Sequence, residues 1–259
     1  MSLTKHALKQ LFGSEANILE VLSRFASSTL VTDNGCGATY IGSGNGGHYI
    51  VSARHCGQPT SMTIPGTTIT IAVEPVFTEQ PSDEWFNGRD IQLFRVADSS
   101  IELLQQEVKP VPLSTNPERD DGIVIIAPTF HEAEGTHIGF VGSPEDTDAF
   151  LRGDLPEAAP SAWPTITSDY APADQSLAKP GYSGGLWADK HGLVGIHSYG
   201  ADAYSQSAGN LKSNSAASVG ALKSMLQGLG IRDYGLTSFS EFQNVRPRTQ
   251  AELEALRAE

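Results

Sequence analysis

From Ser28 onward the chain is broken into short β-prone runs set apart by turn residues: STLVT, ATYIG, HYIVSA, TTITIAV, DIQLFRV, GIVIIAP, HIGFV and GLVGIHS. This spacing predicts an all-β barrel or sandwich rather than βαβ units. With 26 Gly and 15 Pro, the composition suits a turn-rich globular chain better than a helical bundle or a disordered one. Its 259 residues suffice for one large domain or two small ones. Two halves of similar strand texture meet at KPVPLSTNPERDD, where Pro and polar residues suit a linker between two barrels.

Helical spacing occurs only towards the ends. Leu8, Leu11 and Phe12 share a face, Gly13 can end that segment, and Ser14 can cap the next, which carries Ile18, Leu19, Leu22 and Phe25. ASVGALKSML near residue 220 has helical spacing again and is expected to pack on a barrel. The tail beyond Gly230 is polar, with a capping-box pattern from Thr249 to Glu252. The organisation expected is a helical segment over 1–27, an N-terminal barrel over 28–112, a C-terminal barrel over 113–213, a helix over 214–230 and a polar tail over 231–259.

Net charge is −13, which argues against nucleic acid as a partner, because phosphate contacts need Lys and Arg. Acidic residues crowd between His131 and Ala158 and read as a solvated surface. No run of apolar residues is long enough to span a bilayer, so no membrane partner is expected. The first residues lack the apolar core of a secretory signal, which points to the cytoplasm and leaves export by another route open.

The chemistry centres on KPGYSGGLW, where Ser183 has Gly181 before it and Gly184 and Gly185 after it. Glycines serve backbone that must approach another atom closely or adopt angles a Cβ forbids. A serine nucleophile needs a base within hydrogen-bond reach, and that base needs an orienting carboxylate. His55, in YIVSARHCG, closes a strand-like run. Asp90 opens DIQLFRV, and a carboxylate leading into a buried strand calls for a partner.

These segments resemble the chymotrypsin-like serine endopeptidases. VSARHC is similar to that family's Thr-Ala-Ala-His-Cys block, DIQLFRV to Asp-Ile-Ala-Leu-Leu, and GYSGG to Gly-Asp-Ser-Gly-Gly, in family order. The resemblance covers about residues 28 to 228 and implies two antiparallel six-stranded β-barrels with an active cleft between them. It implies Ser183 as nucleophile, His55 as general base, Asp90 as the group that orients His55, and the backbone N–H groups of Gly181 and Ser183 as the oxyanion hole. It makes GLVGIHSYG the strand that pairs with substrate, with His197, Ser198, Tyr199 and Gly200 in substrate binding, and it adds Leu177 and Ala178 to the pocket. Cys36 and Cys56 stand where many relatives have a bridge; two reduced, buried thiols are the other reading.

The departures from that pattern also carry information. Tyr182 replaces the Asp that secreted zymogens pair with a freshly cut terminal amine, and no activation sequence stands near Thr29, so activation by that route is not expected. Leu177 replaces the Asp of the trypsin branch. His197 resembles the pocket histidine of glutamyl endopeptidases and of viral processing proteases, which implies preference for Glu or Gln before the cut. Ser176 is one or two positions off the hydroxyl that assists in those relatives.

Two rivals remain. The G-x-S-x-G pattern also fits an α/β-hydrolase elbow, but a suitably spaced acid and then a histidine do not follow. The other is a latent or non-catalytic protein on the same fold, with a regulatory partner docking on the N-terminal helices or the tail. No metal and no cofactor is expected: HExxH, paired CxxC and P-loop patterns are absent, and GSGNGG over 42–47 precedes a strand and reads as a hairpin turn. The partner expected is a protein or peptide substrate.

Overall fold

A computed structural model describes residues 24–76, 90–114, 122–126, 136–141, 165–169, 182–189, 191–199 and 214–231. The expected N-terminal helices before Arg24, most of the acidic stretch and the polar tail lie outside these residues. Six strands form the first barrel: β1 (Thr29–Thr32), β2 (Gly37–Gly44), β3 (Gly47–Ser52), β4 (Ser61–Thr63), β5 (Thr70–Val76) and β6 (Gln92–Val96). They pair antiparallel in the order β1-β2-β3-β6-β5-β4, and β4 returns to β1 through Val31↔Thr63. The second barrel takes β7 (Gly122–Ile126), β8 (Thr136–Val141), β9 (Thr165–Asp169), β10 (Leu186–Asp189), β11 (Gly192–Tyr199) and β12 (Asn214–Ser218). Its order is β10-β11-β12-β9-β8-β7, with β7 returning to β10. β8 and β9 are joined by Phe140↔Asp169 and Val141↔Ser168. Two antiparallel six-stranded barrels with a C-terminal helix are what the sequence predicted.

Period-two alternation sorts the core into three parts. In β3, Ile50 faces the first barrel's interior with Leu30, Tyr40, Met62, Ile71 and Phe94, while Tyr49 and Val51 face outwards. In β10, Trp187 faces the second interior with Ile123, Ile125 and Val194, while Leu186 and Ala188 face outwards. The outward faces of Tyr49 and Val51 in β3 and of Leu186 and Ala188 in β10 do not meet water. They merge into one cluster that includes Ile41, Val51, Leu93, Ile126, Leu186, Leu193 and Ile196, and this cluster joins the barrels. Strands buried on both faces explain why several runs read as continuously apolar.

The turn at GSGNGG is the expected hairpin. Gly44 pairs with Gly47, and the two residues between them, Asn45 and Gly46, have φ of 47° and 75°, as a two-residue loop of the I′ kind requires. In β2, Ala38 and Tyr40 face the first interior while the adjacent Ile41 faces the shared cluster, and the pairing with β3 shifts register between Tyr40 and Gly42.

Two elements differ from expectation. Residues 214–218, assigned to the C-terminal helix, form β12: NSAAS pairs with both β9 and β11. Their small side chains lack a helical stripe, and the barrel's hydrogen-bonding edge decides their conformation. The helix proper, here α2, is Val219–Gly228, with α1 (Ile101–Glu107) lying earlier between β6 and β7. The expected linker is partly core, since Val111, Leu113 and Ser114 are buried. Its backbone bonds both barrels, through Val111 N–H to Tyr40 O and Leu193 N–H to Pro112 O.

Candidate active site

The β3–β6 register explains why His55 and Asp90 meet. Ser52 pairs with Gln92, so the chain just after β3 and the chain just before β6 lie at the same barrel rim. His55 sits in a 3₁₀ turn, Arg54–Cys56, that follows β3. Asp90 is only 4% exposed, yet both its oxygens are satisfied. Oδ1 accepts the His55 backbone N–H at 2.9 Å, and Oδ2 accepts Nδ1–H of the imidazole at 2.7 Å. With Nδ1 donating, Nε2 carries the lone pair, and it lies 2.7 Å from Ser183 Oγ.

Ser183 reaches this line from the other barrel. It occupies the turn before β10, and its carbonyl accepts Gly37 N–H from β2 at 2.6 Å. Gly37 O in turn accepts the Ser52 hydroxyl at 2.5 Å. Gly184 N–H donates to His197 O at 2.8 Å, and His197 N–H donates to Gly185 O at 2.9 Å. The reason for the glycines follows. Gly184 has φ of +76°, and a Cβ there would sit 1.9 Å from Gly37 O. A Cβ on Gly185 would sit 2.8 Å from the carbonyl oxygens of Ile126 and Tyr182. Close backbone approach, across the barrel seam at Gly184 and within the second barrel at Gly185, excludes side chains here.

Cys36 and Cys56 are bonded, with Cα atoms 6.1 Å apart. The bridge ties Cys36, which precedes the Gly37 that holds Ser183, to Cys56, which follows His55. The reading as two reduced thiols is therefore not the state found. The Asn34 amide also donates to Cys56 O, adding a second tie to the same segment.

His197 lies in the second barrel's interior, 2% exposed. Trp187 Nε1–H donates to His197 Nδ1 at 3.2 Å, and Tyr182 meets the ring edge-on at a centroid distance of 6.1 Å. Ser198 is buried and Tyr199 ends β11 opposite Ser215; Leu177, Ala178, Gly181 and Gly200 lie outside the described residues. Among the described residues, no group of three or more His, Cys, Asp or Glu could hold a metal ion, and no helix is long and apolar enough to cross a membrane.

No family model and no curated protein matches the sequence. Solved structures do. A structure described as kallikrein-related peptidase 10 superposes with a TM-score of 0.57 at 16% identity, covering 80% of this chain and 97% of that one. Neuropsin, a serine protease expressed in the limbic system of mouse brain, gives 0.56 at 17% identity, over 80% and 96% of the two chains. A scabies mite inactivated protease paralogue gives 0.53 at 12%, over 80% and 96%.

The chain has the chymotrypsin-like fold.

Within that fold His55 and Asp90 come from the first barrel and Ser183 from the second, so the three meet only because the barrels pack together. Sequence reasoning passed over Trp187 and Gly37. Trp187 stands two residues after Gly185 in β10, where strand alternation alone would have turned it inwards. Gly37 had no readable signal, because its role depends on contact across the barrels.

Proposed function

We propose that the chain is a serine endopeptidase working through His55, Asp90 and Ser183. The observation that carries this is the continuous hydrogen-bonded line from Asp90 through His55 to Ser183, at 2.7 Å on each side of the imidazole. Asp90, accepting from Nδ1–H, holds the tautomer in which Nε2 can take the serine proton. As Oγ bonds to the scissile carbonyl carbon, that proton passes to Nε2 and the carbonyl oxygen becomes an oxyanion. The backbone amides of Ser183 and Gly181 would receive it, each such donor typically contributing about 3 kcal/mol. The imidazolium then protonates the leaving amine as the C–N bond breaks, leaving an acyl-enzyme. Water, deprotonated by His55, releases the acid and returns the proton to Ser183. No cofactor enters any step.

The substrate is a peptide with Glu or Gln before the scissile bond. Trp187 N–H against Nδ1 supports this, since a neutral His197 then keeps its proton on Nε2, a donor suited to a carboxylate or amide oxygen. Ser198, Tyr199, Gly200, Leu177 and Ala178 complete the substrate groove in this reading.

A second reading has one finding in its favour: a structure of similar fold is described as an inactivated protease paralogue. A binding protein of that kind has no need of the aligned hydrogen bonds. The discriminating experiment is cleavage of a peptide library by the purified chain and by Ser183→Ala, read by mass spectrometry. Cuts after Glu or Gln that vanish in Ser183→Ala are expected, and His197→Ala should broaden the preference. Cleavage undiminished in Ser183→Ala would overturn the endopeptidase reading, and unchanged preference in His197→Ala would overturn the pocket assignment.

A further inference from the structure

We propose that an aromatic cluster inside the second barrel, Tyr182–His197–Trp187, holds the nucleophile loop in its working shape, so that no freed chain terminus is needed to form it. The inference rests on the endopeptidase reading above and goes past it to what positions the serine. A loop with glycine at 181, 184 and 185 loses much conformational freedom on being fixed, so some feature of the structure must hold it.

Tyr182 is 1% exposed, and its ring lies in the second barrel's interior with Ile123, Ile125, Trp187, Val194 and Ala216. The residue next to the nucleophile is thus anchored as a core side chain. Its ring meets the His197 ring edge-on at 6.1 Å, with a 64° interplanar angle. Trp187 fixes the other side of the imidazole through its Nε1–H and a ring separation of 6.0 Å. The His197 backbone then bonds both glycines after the serine, through Gly184 N–H to His197 O and His197 N–H to Gly185 O. Gly185 N–H returns to Tyr182 O at 2.8 Å, which closes the circuit. Side chains and backbone of the second barrel therefore hold residues 182–185, beside the bond that Gly37 N–H of the first barrel makes to Ser183 O. A carboxylate at position 182 would need a buried cation there, whereas a tyrosine ring needs only apolar and aromatic neighbours. Tyr182 and Trp187 are positioning residues that act through Ser183 and His197.

The test compares kcat and KM of the intact 1–259 chain, its integrity proved by mass spectrometry, with Tyr182→Phe, Tyr182→Leu and Trp187→Phe. The intact chain should turn over a peptide substrate. Tyr182→Phe, which keeps the ring, should stay within about threefold, while Tyr182→Leu should lose about 100-fold in kcat with little change in KM, as a displaced reacting group does. Trp187→Phe, which removes only the N–H donor and part of the ring, should lower kcat in the parent and have no further effect beside Tyr182→Leu. It also carries the test if Tyr182→Leu does not fold. Turnover that begins only after the N-terminal residues are trimmed would overturn the inference while sparing the endopeptidase reading, as would full kcat in both Tyr182→Leu and Trp187→Phe. No Ser183-dependent turnover in intact or trimmed chain would overturn the endopeptidase reading and this inference with it.

Discussion

Gly184 presses its α-carbon against the backbone of the opposite barrel, so a single methyl group decides whether Ser183 can sit where it does. Gly184→Ala would place a Cβ on Gly37 O and force a left-handed φ on a residue that resists it. The expected result is loss of turnover by at least about 100-fold with the far-UV spectrum retained, checked by kinetics and circular dichroism. Asp90→Asn should be comparably selective: an amide can leave His55 in the wrong tautomer, lowering kcat by about 10⁴-fold while substrate binding changes little. Away from the site, Tyr40 OH meets His48 Nδ1 at 2.7 Å. Burial pushes the Tyr40 hydroxyl up to about 12 and holds His48 below its ordinary value. The folded chain thus binds the His48 proton less readily than the unfolded one. This pair's contribution is present above the unfolded value of about 6.5 and is lost as pH falls through the folded value. Urea midpoints measured across that range should fall with pH, and less steeply in His48→Gln. At this scale Ser183, His55 and Asp90 were legible because each needs a recognisable neighbour in sequence. Gly37, Tyr182 and Trp187 were not assigned their roles, because contact across the seam or within the barrel creates them.

Helix α2 closes the molecule by burying Val219, Leu222 and Leu226 in the cluster that joins the barrels. Ser218 caps it, accepting Ala221 N–H at 3.1 Å, and Lys223 donates to Ser114 O at 2.7 Å. Burial pulls the Lys223 ammonium below its ordinary value, and the nearby Asp189 opposes that pull. Leu226→Ala should cost about 2–5 kcal/mol and Ser218→Ala about 1 kcal/mol, both read as lowered urea midpoints. The hairpin at Asn45-Gly46 and the apolar stripe of α2 were legible because a turn and a helix leave local patterns. β12 was not, since NSAAS has no period of its own and takes its conformation from strands far away in sequence. α1 is one short helix whose buried contact is Leu104, too little pattern to stand out from the strands around it.

The whole molecule is built as two barrels sharing one apolar wall, with the hydrogen-bonded line from Asp90 through His55 to Ser183 crossing the seam. The disulfide from Cys36 to Cys56 spans 20 residues beside that seam. Reducing it, or replacing both cysteines by Ala, should remove about 3 kcal/mol of stability and lower turnover at temperatures where the chain stays folded. A disulfide also persists best in oxidising surroundings, so thiol alkylation of the protein in its native cells tests the cytoplasmic placement expected from the sequence. The double barrel was legible as a class from run lengths and turns, yet its closure and the merging of outward faces belong to the fold alone. The central claim is that the fold brings a base and an orienting carboxylate to Ser183 and so makes it a nucleophile. The most direct test is intact-mass spectrometry after exposure to a small fluorophosphonate, with His55→Ala and Ser183→Ala alongside. One phosphonyl group on Ser183 in the parent, and none at comparable rate in either variant, is the outcome expected. No labelling of the parent, or equal labelling of His55→Ala, would contradict the account.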